Sequence, residues 1–260
     1  MKGGKIMGRS NKTPAILSIA VIICIIAPLH CSKDDAALLE KSARIADKAA
    51  VNRELRMLKE SVPKAKDDFE RSEIYQKISE IESDKGDTAN AVRSARESIK
   101  YYPNQARAYY LLGKSYLASG RLEEAESELR KALALDARMA DAHFEMGNLQ
   151  YKRKNYPAAL SGYETTVKLD PKNFQAFNNM GVINYQLNRP AEAEKALLRV
   201  VALRPDFTAV YKNLGIIYEL KLKNPSRARE YYTRYLEKTP GAPDRNAVKL
   251  WIANLGKQGG

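Results

Sequence analysis

The sequence predicts an all-α chain of about five helix pairs, stacked in register and closed by one C-terminal capping helix. Three observations carry this. Segments beginning at residues 108, 142 and 176 align without gaps at a spacing of 34, and related segments start at 74 and 210. Within each, apolar residues recur three and four apart, the spacing of an amphipathic helix. Glycine and proline punctuate each segment at the same places.

Residues 1–30 come first. The stretch 1–14 is basic and free of acid, and Ala15 to Leu29 (AILSIAVIICIIAPL) is nearly all apolar. This is the pattern of an export signal. At about 1.5 Å per residue the apolar run falls short of the roughly 30 Å hydrocarbon core, so a full span is disfavoured. Basic charge ahead of it directs the remainder outward. Residues 31–71 read as an N-terminal helical cap or spacer. Val51, Leu55, Leu58 and Val62 share one face there, and Pro63 ends the run.

The repeats fill 72–241, as units 72–105, 106–139, 140–173, 174–207 and 208–241, the last carrying one extra residue near Asn224. Gly113, Gly147, Gly181 and Gly215 sit inside first helices, where Gly costs about 1 kcal/mol relative to Ala. A cost repeated at one place implies close approach of a neighbouring helix backbone. Gly120 suits the turn between two helices. Pro103, Pro171, Pro205 and Pro240 close second helices. In 242–260, Pro243 and Asp244 precede a stripe of Val248, Trp251, Ile252 and Leu255, then Gly256: a capping helix over 244–255 with a short tail.

These marks resemble the tetratricopeptide family. A large residue, Leu-Gly or Met-Gly, an Ala early in the second helix and a closing Pro appear as His143, Met146, Gly147, Ala159 and Pro171. They recur as Phe177, Met180, Gly181, Ala193 and Pro205, and as Tyr211, Leu214, Gly215, Ala228 and Pro240. The resemblance implies a right-handed superhelical α-solenoid whose first helices line a concave groove for a protein or peptide partner. Its groove positions fall on Arg107, Tyr110 and Lys114, then Phe144, Asn148 and Tyr151, then Asn178, Val182 and Tyr185, and finally Lys212. The family's carboxylate clamp, Lys and Asn one turn apart, is not matched: Ile216 follows Lys212 and Phe144 precedes Asn148.

Cys31, directly after the apolar run, resembles the lipid-attachment site of bacterial lipoproteins, which implies a lipidated, membrane-anchored periplasmic protein. Pro28 and His30 depart from that pattern, and an uncleaved N-terminal anchor is the alternative.

Composition narrows the chemistry. Formal net charge is +13, four of it from Lys2, Lys5, Arg9 and Lys12, leaving +9 beyond residue 30. Acids are interleaved with the cations, so the surface is mildly basic without a dense patch, and the export signal argues against nucleic acid. Beyond residue 30 there remain one Cys and one His, Cys31 and His143, too few for a structural zinc site. His143 holds the large-residue place of Tyr109, Phe177 and Tyr211, which reads as a packed core position. Gly113-Lys114-Ser115 mimics the end of a phosphate loop but has Ala108 where that loop needs Gly. No cofactor, metal or catalytic residue is expected. The expected function is an extracytoplasmic scaffold, with capture of a small anionic ligand for a transporter as the alternative.

Overall fold

The computed structural model describes residues 33–255, all of whose regular elements are helical. The export segment, Cys31 and the tail beyond 255 lie outside the described residues. The chain divides at Glu60/Ser61 into two units. In the first, α1 (Lys33–Ser61) is a single helix of 29 residues. Val51, Leu55 and Leu58 are half-buried on it, while Met57 is exposed. Pro63 lies at the start of a 3-10 turn, Val62–Lys64, just after that helix ends.

The second unit holds five helix pairs and a cap. The pairs are α2 (Asp68–Asp84) with α3 (Thr88–Tyr101), α4 (Ala106–Ala118) with α5 (Leu122–Leu135), and α6 (Ala140–Lys152) with α7 (Tyr156–Leu169). They continue as α8 (Phe174–Gln186) with α9 (Pro190–Leu203) and α10 (Ala209–Leu220) with α11 (Pro225–Lys238), followed by α12 (Arg245–Leu255). The first pair begins at Asp68, inside the segment read as spacer, because Asp67 caps it by accepting from the Glu70 amide. Asp87, Asn155, Asn173 and Asn224 cap later helices in the same way.

Each first helix packs on its own second helix, and each second helix on the next first helix. First helices also meet one another, α2 with α4, α4 with α6 and α8 with α10, so they share one side of the stack. Turns inside each pair pass through a left-handed residue, at the repeat period for Gly86, Gly120, Lys154 and Asn188 and one place later for Lys223, in the unit with the extra residue.

The glycine expectation needs a correction. What approaches Gly113, Gly181 and Gly215 most closely is a side chain of the second helix, not its backbone. A Cβ at Gly113 would stand 2.8 Å from Leu129 Cγ, and one at Gly181 2.5 Å from Leu197 Cδ2. At Gly215 it would strike the Tyr232 ring, and at Gly147 the Tyr163 ring at 2.7 Å. Backbone comes near as well, the Ala125 carbonyl oxygen at 3.2 Å from a Cβ on Gly113 and the Ala193 carbonyl oxygen at 3.5 Å from one on Gly181, and nearest in the third pair, where a Cβ on Gly162 would lie 2.9 Å from Gly147 Cα. Each Gly is therefore a socket for a large residue of its partner helix, whose burial contributes about 1.5–3 kcal/mol. In the first pair Ser79 holds the Gly place and donates to the Ala91 carbonyl at 2.8 Å, and in register with Leu129 stands the small Ala95.

His143 is also corrected. It is half-buried rather than packed in the core, and its Nε2 lies 3.0 Å from the Ala137 carbonyl oxygen. Tyr211, two repeats on, donates to the Pro205 carbonyl at 2.9 Å across the same interval. Both side chains latch the turn leading into their helix.

Candidate functional site

The first-helix side of the stack carries the predicted groove residues in separate groups. At its N-terminal end the Arg107 guanidinium donates to both Glu80 oxygens at 2.8 and 2.9 Å, and Lys114 lies 3.8 Å from Asp84. Each pair joins α2 to α4. Tyr110 sits between these cations but is 9% exposed, so it forms floor rather than open contact surface. Burial, reinforced by Glu145 and Asp141, holds its phenol well above the usual value.

The central group surrounds Asn148. Its Oδ1 accepts from the Tyr163 hydroxyl at 2.7 Å and the Asn179 amide at 3.3 Å, and its Nδ2 donates to Glu145 at 2.9 Å. Tyr163 belongs to the second helix α7 and reaches the first-helix side over Gly147; burial pushes its phenol up to about 12. Phe144 packs on it, ring centres 5.6 Å apart. Glu145 is held above the ordinary carboxylate range by burial, opposed by the Asn148 hydrogen bond and Lys114. Tyr151 is exposed and leans on Tyr156 at 5.8 Å, at the joint between α6 and α7.

The third group joins α8 to α10. Gly181, Val182 and Tyr185 of α8, Leu197 of α9, and Asn213, Ile216 and Ile217 of α10 enclose an apolar pocket of about 120 Å³. Lys221 Nζ stands 5.4 Å from the Tyr185 ring centre. Asn178 lies one turn before Val182. Its Nδ2 donates to Asn179 at 3.4 Å, while its Oδ1 is buried with no partner. An unmet buried acceptor costs about 1–3 kcal/mol.

Lys212 leaves the face. It donates to Asp244 at 2.7 Å, beside the Tyr235 hydroxyl that donates to the same carboxylate at 2.7 Å. Its charge is committed to the junction with α12, not presented along the side as an open cation. The same internal pairing engages Arg107 and Lys114, whereas Asp141 and Glu145 form no ion pair among the described residues.

Sequence reasoning passed over Glu145, Asn179 and Asn213, which stand 34 residues apart, one place after Phe144, Asn178 and Lys212. The signal was present. The equivalent residue of the second unit is Leu111, 1% exposed, so polar groups at that place must find partners at the helix joint. Tyr163 was missed because it comes from a second helix.

No helix among the described residues is long and apolar enough to cross a membrane, and no cluster of His, Cys, Asp and Glu among them could hold a metal ion. The arrangement supplies amides, rings and one apolar pocket, which are means of binding.

Comparison with known proteins agrees with this architecture. The family profile described as tetratricopeptide repeat matches residues 80–142, 144–206 and 185–243, more than half of the chain. A type IV pilus assembly protein, PilF of Pseudomonas aeruginosa, is 33% identical over 150 residues, covering 57% of this chain and 58% of that protein. Hsp70-Hsp90 organizing protein 3 of Arabidopsis thaliana is 29% identical over 55% of this chain and 27% of its own length. The chain thus spans less than two thirds of these relatives. Among solved structures, PilW, described as a widely conserved type IV pilus biogenesis factor, superposes with a TM-score of 0.63 at 20% identity. That match covers 72% of this chain and 87% of PilW, and it bears on fold alone.

Proposed function

We propose, for a chain that belongs to the tetratricopeptide repeat family, a non-catalytic scaffold that binds a protein or peptide partner along its first helices and holds it at a membrane outside the cytoplasm. One observation carries the reading: successive first helices place Asn178 and Asn213 beside Val182 and Tyr185, with one end of the Asn178 amide unmet, while Asn148 and Asn179 bond each other and Tyr163 next to Phe144. Amides match the polar groups of a peptide backbone, and rings give contact area at low entropic cost. Capture of a small anion finds little support on this face, because Arg107, Lys114 and Lys212 are already paired with acids.

The compartment rests on the N-terminal segment and on likeness to a protein of type IV pilus assembly. Lipidation at Cys31 supplies the anchor, and assembly of an envelope complex is the task this suggests. Cys31→Ala should move the protein from the membrane to the soluble fraction or block its processing; unchanged attachment and mass would favour an uncleaved anchor.

Partner binding is tested with a photo-crosslinking residue at Tyr151 or Val182, and at Arg229 on α11 as control, in the native host. One common adduct is expected from the first two positions and none from Arg229, and Lys114→Glu with Phe144→Ala should diminish it at temperatures where the variant, somewhat less stable through the lost Phe144–Tyr163 packing, is still fully folded. Equal adducts from Arg229, or a double variant that crosslinks fully, would place recognition elsewhere.

A further inference from the structure

We infer that the pocket between α8 and α10 is an anchor site for one branched or flexible aliphatic side chain, Leu, Ile or Met, of an extended peptide segment. The backbone of that segment meets Asn178 and Asn213. The inference deepens the partner reading above and rests on it.

Size comes first. An apolar cavity of about 150 Å³ accepts benzene; this one, at about 120 Å³, suits a four-carbon aliphatic group. Its lining is apolar apart from the Asn213 amide and the Tyr185 hydroxyl, so a charged side chain would enter without a countercharge in the lining. Two units build it, Val182 and Tyr185 from one and Ile216 and Ile217 from the next, with Leu197 as floor where it covers Gly181.

A second observation points to a ligand. The buried, unpartnered end of the Asn178 amide lies one turn from Val182 on the same helix face. Asn178 as a residue is half-buried, and in the proposed complex its side chain turns that oxygen toward a peptide N–H. Charge narrows the occupant further. In a chain of net charge +13, the neighbouring unit offers Asp141 and Glu145 without ion pairs; Arg107 and Lys114 are paired with acids, and Lys221, over the Tyr185 ring at the pocket itself, bonds only the Asn188 amide oxygen. The segment that fits carries a basic residue toward α6 and no acidic one there.

The test uses the full chain with methyl-labelled Val, Leu and Ile. Acetyl-leucine-N-methylamide should shift the methyl resonances of Val182, Leu197, Ile216 and Ile217 in a saturable way, and the glycine analogue should not. Val182→Phe, which fills the pocket from a half-exposed position, should abolish the shifts. Ile216→Ala, which enlarges it, should move preference toward a phenylalanine probe. Peptides selected from a random library against the wild-type chain should share one Leu, Ile or Met with a nearby Lys or Arg, and should bind about tenfold more weakly to Asn178→Ala. Methyl shifts that fall elsewhere, a Val182→Phe chain that binds the leucine probe fully, or selected peptides rich in acid would overturn the anchor. Selected peptides that compete with the crosslinked partner yet carry no aliphatic consensus would overturn it and leave the scaffold reading standing. Loss of groove crosslinking itself would end both.

Discussion

The first and last helix pairs share a register but not an interior. Between α2 and α3 the buried side chains include Ser72, Gln76, Ser79, Glu82, Ser94 and Ser98, beside Ile78, Ala91 and Ala95. Between α10 and α11 they are Tyr211, Leu214, Ile217, Tyr218, Tyr231, Tyr232, Tyr235 and Leu236, with Val210 and Ala228. The first interior is held by hydrogen bonds, Ser72 with Ser98 at 2.8 Å and Ser94 to Glu82 at 2.7 Å. Each nets about 0.5–1.5 kcal/mol, against about 1.5–3 kcal/mol for a large buried apolar side chain. Stacked units contribute roughly additively, each with its nearest neighbours. Placement is therefore shared along the stack while cohesion is not, and the N-terminal pair should open first.

Tyr232→Ala should produce the largest loss, about 3–5 kcal/mol in denaturant unfolding, because it empties the Gly215 socket and strands Glu219, which accepts the Tyr232 hydroxyl at 2.7 Å. Hydrogen exchange should quicken in α10–α11 and leave α2–α3 unchanged; a uniform increase along the chain would break the picture of local units. Gly147→Ala comes next. The new Cβ would stand 2.7 Å from the Tyr163 ring, and overpacking should cost about 1–3 kcal/mol by thermal unfolding.

The polar pair gives a sharper contrast. Ser72→Ala alone should cost about 1 kcal/mol by leaving the Ser98 hydroxyl without that partner, whereas Ser72→Ala with Ser98→Ala should recover most of it. Denaturant curves for the three variants would show whether the N-terminal interior gains from its hydroxyls or only tolerates them.

Acid should act at the other end. Hydrogen bonds from Lys212 and Tyr235 hold the Asp244 carboxyl below its ordinary value of 3.8. A depressed folded value stabilises above the unfolded one and is lost as pH falls through the folded one. Below about pH 4, Trp251, which packs 5.5 Å from Tyr232, should report loosening of α12 by its fluorescence, and Asp244→Asn should erase that step. The smallest effect belongs to the turns. Lys154 holds φ of 60° where two sister turns hold glycine, so Lys154→Gly should stabilise by under about 1 kcal/mol in thermal unfolding.

The 34-residue period, the helix pairs, the turn at Gly120 and the closing prolines were legible because backbone geometry follows local residue type and spacing. A glycine inside a helix announced that something comes close. Whether backbone, Leu or Tyr filled the socket depended on a residue sixteen or seventeen places on, across a helix joint, and no local pattern sets that. The same limit hid Asn179 from Asn148 and Asp244 from Lys212: these partners lie 31 and 32 residues apart and meet only when units stack. Sequence spacing assigns a side chain to a face of its own helix, and so placed Arg107, Tyr110 and Lys212 on the binding side. Burial and ion pairing are properties of neighbouring helices, and only the stacked structure decided that Tyr110 is floor, that the cations are neutralised, and that the pocket opens between α8 and α10.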